Sequence, residues 1–89
     1  MRMLATDPKF AALMWESRTL AVVVGMYMDA RKDYVAVRYA GREKGDAEAF
    51  HAHQMRLAHA HLVYTTTKAA LRTADQKYRA ALAAVKFTL

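Results

Sequence analysis

The sequence predicts an all-α protein: an elongated antiparallel helical hairpin, its second helix patterned in heptads, packed into an oligomeric bundle. Three observations carry this expectation. One proline and three glycines are the only strong breakers in 89 residues, which leaves room for long helices. Phe50, Leu57, Tyr64, Leu71, Tyr78 and Val85 recur every seven residues, and His53, Ala60, Thr67, Ala74 and Ala81 follow three positions later. Apolar residues make up 55% of the chain. So short a chain hides only a modest share of its surface, and the surplus points to an interface.

The elements follow in order within a single domain. Residues 1–6 form a tail, and the first helical segment spans 7–41. Asp7-Pro8 opens it, because Asp caps free backbone N–H groups and Pro tolerates the first helical position. Phe10, Leu13, Met14, Leu20, Ala21, Val24, Tyr27, Met28, Tyr34 and Val35 fit one face of this helix. The stretches "TLAVVVGMYM" and "DYVAVRYAG" are also rich in β-branched and aromatic residues. They support an alternative α+β fold, with a short helix, a β-hairpin at 19–40 and a long C-terminal helix. The hairpin turn would have to be "DARKD", which lacks the Asn-Gly or Asp-Gly that tight turns favour. Residues 42–46 form a polar turn, with Gly41 ending the first helix and Gly45-Asp46 capping the second. The second helix spans 47–88. Its heptads place large residues in one column and small ones in the other, which lets helix backbones approach closely. Three threonines at 65–67 weaken it locally, but the heptad phase continues through them.

Several function classes are disfavoured. The chain has no cysteine, which excludes disulfides, thiolate metal sites and thiol catalysis. The longest uncharged run, "TLAVVVGMYM", is too short to span a bilayer, so no membrane insertion is expected. "MRMLATDPKF" has neither a long apolar core nor a small-residue cleavage site, and a cytoplasmic location is expected. Ser17 is the only serine, no glycine-rich turn presents it, and no phosphate-cradling loop is present. A non-enzyme without cofactor is the expectation.

The four histidines, His51, His53, His59 and His61, scatter around a helix at their spacings. His53 falls in the small-residue column and His61 beside it, while His51 and His59 point outward. Glu48 and His51 form a Glu-x-x-His pair, the spacing of di-iron helical bundles. Such a site needs further carboxylates, with Glu16, Asp29 and Asp33 as candidates. Histidines near an interface would also gain charge and repel below about pH 6.5.

Two surface features remain. Net charge is +6, and Lys68, Arg72, Arg79 and Lys86 form a stripe on the second helix that could contact phosphates. Trp15, Val22, Val23, Met26, Met55 and Leu62 fall off the inner stripes, and such residues favour protein contact. The leading expectation is therefore a helical adaptor, assembly component or occluding regulator. It would act through protein–protein contacts, as a homo-oligomer, with a protein partner, or both. The rival is a basic nucleic-acid-binding dimer, and the third reading is a di-metal protein built on Glu48 and His51.

Overall fold

The computed structural model describes residues 7–40 and 47–86. They form two helices, α1 (Pro8–Tyr39) and α2 (Ala47–Lys86), packed as a hairpin, with no strand among the described residues. The β-hairpin alternative at 19–40 is overturned, because α1 runs through that segment for 32 residues. β-Branched residues cost a helix only tenths of a kcal/mol each. A hairpin at "DARKD" would instead need positive φ at residues that resist it.

Asp7 caps α1 as its sequence position suggests. Its backbone is extended, its Oδ1 accepts from the Lys9 N–H at 2.8 Å, and Pro8 follows at the first helical position. At the other end, Ala40 leaves helical geometry while its N–H still donates to the Ala36 carbonyl at 2.8 Å. The glycines at 41 and 45, the cap at 46 and the expected helix ends at 41 and 87–88 lie outside the described residues. α2 continues unbroken across the threonines. The Thr65 hydroxyl donates to the His61 and Leu62 carbonyls, and the Thr67 hydroxyl to those of Val63 and Tyr64, at 2.9–3.1 Å. Each hydroxyl thus satisfies itself on the preceding turn, which makes Thr67 tolerable in the buried seam.

Lettering the heptads a to g, with Tyr64 at a and Thr67 at d, places both helices in one frame. On α2 the inner columns are Leu57, Tyr64, Leu71 and Tyr78, half-buried, and Val85, buried, with His53, Ala60, Thr67, Ala74 and Ala81 at d. Phe50 belongs to the same column but is 49% exposed. It lies past the level at which α1 ends. On α1 the inner columns are Leu13, Leu20, Tyr27 and Tyr34 at a, and Glu16, Val23, Ala30 and Val37 at d. This corrects two expectations. Met14, Ala21, Val24, Met28 and Val35, assigned to the inner face, are exposed. Val23, assigned to the outer surface, is half-buried between the helices. A helix apolar on nearly every side has no stripe to announce which side faces its neighbour.

Aromatic rings fix the register. The Tyr64 ring stacks on Tyr27, with centroids 5.7 Å apart, and on Tyr34, at 5.2 Å and an interplanar angle of 6°. His61 extends the column, its ring tilted against Tyr34 at 5.5 Å.

The result is a thin rod of 69 × 16 × 15 Å. Its radius of gyration is 19.8 Å, where a compact domain of this length has about 12 Å. Ala30, Ala74, Val85 and Thr67 are its buried residues among those described, and no large side chain is fully enclosed. Two helices share one line of contact, and each leaves most of its circumference outside.

Candidate functional site

The hairpin has two long sides, distinguished by which residues share a groove. Val24 on α1 shares one groove with Lys68, Arg72 and Asp75 on α2. Positions e and b of both helices therefore lie on this side. Asp33 and Ala36 on α1 share another groove, of about 630 Å³, with Met55, Arg56, His59 and Val63 on α2. Positions g and c lie there.

The e/b side is basic and apolar together. α1 contributes Met14, Val24, Met28 and Val35 with Arg31 and Arg38, and α2 contributes Lys68, Arg72, Arg79 and Lys86. All four stripe cations are exposed. The Lys68 ammonium stands 5.9 Å from the Tyr64 ring centroid, a distance at which the ring face attracts it. Arg79 pairs with Asp75 at 3.0 Å, one helical turn apart. The pair is well exposed and contributes little to stability. Tyr27 lies at the inner edge of this side. Its phenol is held above the ordinary value of 10.0, first by hydrogen bonding with Tyr64, then by partial loss of water and the nearby Tyr64 charge, while Arg31 pulls the other way.

The g/c side has a different character. α1 places Trp15, Val22 and Met26 there, followed by Asp29 and Asp33 toward the turn. Trp15 is 67% exposed and Val22 63%. α2 places Arg56, His59 and Val63 near the turn, and then Ala70, Thr73, Lys77, Ala80 and Ala84. Large apolar side chains on one helix thus run beside mostly small ones on the other, Lys77 being the exception, and acids run beside bases. Among the described residues, neither Asp33 nor Arg56 has an ion pair within 4.0 Å.

The expected contact residues are therefore divided. Trp15, Val22 and Met26 lie together on the g/c side of α1. Met55 and Leu62 lie on the back of α2, at position f, although Met55 also reaches the g/c groove. Val23 is half-buried in the seam and still lines an open groove with Trp15 and Val22. Residue reading missed Asp29, Asp33, Arg56, Val63 and the small residues opposite as members of one face. For the α2 members the signal was the column Ala49, Arg56, Val63, Ala70, Lys77, Ala84, which repeats every seven residues outside the main seam.

Glu48 and His51 are both exposed. Among the described residues no three histidines or carboxylates gather closely enough to ligate a metal ion. Glu16 lies toward the opposite end of the rod from Glu48, while Asp33 sits beside His59 in the g/c groove. Neither helix is long and apolar enough to cross a membrane.

Comparison with protein families, with curated proteins and with solved structures returns no match for this chain.

Proposed function

We propose that this chain is a non-enzymatic protein-contact module, an adaptor, assembly component or occluding regulator whose helix faces bind protein. One observation carries the reading: twelve large apolar residues stand exposed along the described rod, and none is fully enclosed. The chain exposes 7240 Å², where a compact monomer of its mass exposes about 5,200 Å². Exposed large apolar side chains in such number mark contact sites rather than a resting monomer surface. The open grooves are suited to side chains from another helix, not to a small reactant shielded from water.

The test is photocrosslinking in the native cell from a probe at position 22. The expected result is a discrete protein adduct that Trp15→Glu abolishes. Absence of any adduct, with the chain running at its own 10.0 kDa in fresh lysate, overturns the reading.

A second reading rests on the e/b side, where Lys68, Arg72, Arg79 and Lys86 share one flank with Arg31 and Arg38. A polyanion laid along it would release counterions, so its affinity would fall steeply with salt. Charge reversal at Lys68 and Arg72 should abolish retention on a mixed-sequence duplex. Retention that ignores both salt and reversal excludes nucleic acid.

A further inference from the structure

We infer that the g/c side is a self-docking face: a second copy of the chain lies along it about a two-fold axis parallel to the rod. The two hairpins then form a four-helix bundle with their turns at the same end. This rests on the contact-module reading and names the partner for one of its two sides.

Three observations select this occupant and this side. The first is size complementarity. Under such an axis, α1 of one copy faces α2 of the other at the same level. The tyrosine stack and the shared grooves set those levels. Trp15 then meets Ala80 of the other copy with the stem of Lys77 beside it, and Val22 meets Ala70 and Thr73. Large residues enter gaps left by small ones, as interdigitated helix packing requires.

The second is charge. Asp33 lines the same groove as Arg56 and His59. The axis sets Asp33 of each copy against Arg56 and His59 of the other, twice per dimer. The e/b side offers the reverse, with cations on both helices, so two copies docked there would set like charge against like charge.

The third is area. α1 limits the two-helix face to about 48 Å in length, and at 16 Å wide it covers on the order of 800 Å² on each copy, the standard size of a specific interface. The surface in excess of a compact monomer is larger than that on each chain, so docking on this side leaves the e/b side exposed.

The decisive experiment is a charge swap, read as solution mass by light scattering on the whole purified chain. Wild type is expected at twice 10.0 kDa. Asp33→Arg and Arg56→Asp, each alone, place like charges across the axis and are expected to be monomeric with helicity retained. Mixed in equal amounts, they should recover the dimer mass, because each variant supplies what the other lacks. A pairing within one chain could not be rescued by mixing. A mixture that stays monomeric overturns the inference, and so do single variants that remain dimeric. If the charge variants lose helicity, Val22→Glu and Met28→Glu decide. Monomeric Val22→Glu with dimeric Met28→Glu supports the face, and the opposite result overturns it. A monomeric wild type overturns self-docking but leaves the contact-module reading to the crosslinking test.

Discussion

Tyr64 is the residue on which most of the specific packing converges. Two tyrosines of α1 stack against its ring, and Lys68 approaches it from the next turn. Aromatic pairs contribute beyond the area they bury. Tyr64→Leu keeps an apolar side chain in the seam but removes both stacks, and urea unfolding should show a loss of about 1–2 kcal/mol. The same cluster sets an alkaline limit. The Tyr27 phenol is held above 10.0, so the folded chain resists its ionisation while the unfolded chain does not. The resulting stability is fully present below the unfolded value and is lost as pH rises through the raised folded value. Melting temperature should therefore fall above about pH 10, and less steeply in Tyr27→Phe. Equal slopes in the two proteins would rule the cluster out as the cause.

At the scale of the helix, Gly25 is an interior glycine of α1 with open space around the position of an added Cβ. Nothing there calls for glycine's conformational freedom, since its φ is not positive. Gly25→Ala should raise stability by about 0.5–1 kcal/mol. Asp7→Ala should lower it by about 1 kcal/mol, because the Lys9 N–H loses its acceptor. Thermal unfolding checks both. The cap was legible because Asp-Pro has few other uses. α2 was legible because bulk and smallness alternate in fixed columns and few large apolar residues compete with them. α1 was legible as a helix but its inward face was not, because Met14, Val24, Met28 and Val35 repeat outside the seam as regularly as Leu20, Tyr27 and Tyr34 do inside it. Only the partner helix decides between them, and that information is not local. The g/c face was hidden for a related reason. It is shared by two helices, and neither one alone displays both the large residues and the gaps that receive them.

The whole molecule is a rod, and its assembly can be distinguished by shape. Two copies side by side with turns together should keep the maximum dimension near 69 Å while the cross-section doubles. Small-angle scattering reads both quantities. A particle lengthened toward twice that value would mean end-to-end association and would contradict the two-fold placement. The arrangement also assigns the two flanks different duties. In the proposed dimer the g/c flank would be closed by another copy, and the e/b flanks would remain outermost, with their cations turned to whatever binds next. Salt should therefore affect that outer partner far more than the bundle itself.

With no large side chain fully enclosed among the described residues, the lone hairpin has no deep interior whose loss would bring down everything at once. Its amides should exchange with solvent on a gradient, slowest around the stacked tyrosines and fastest toward the tips, as a zip opens from its ends. Such a fold would absorb sequence drift along its length in small steps, and would gain an all-or-none melt only once a neighbour lies against it.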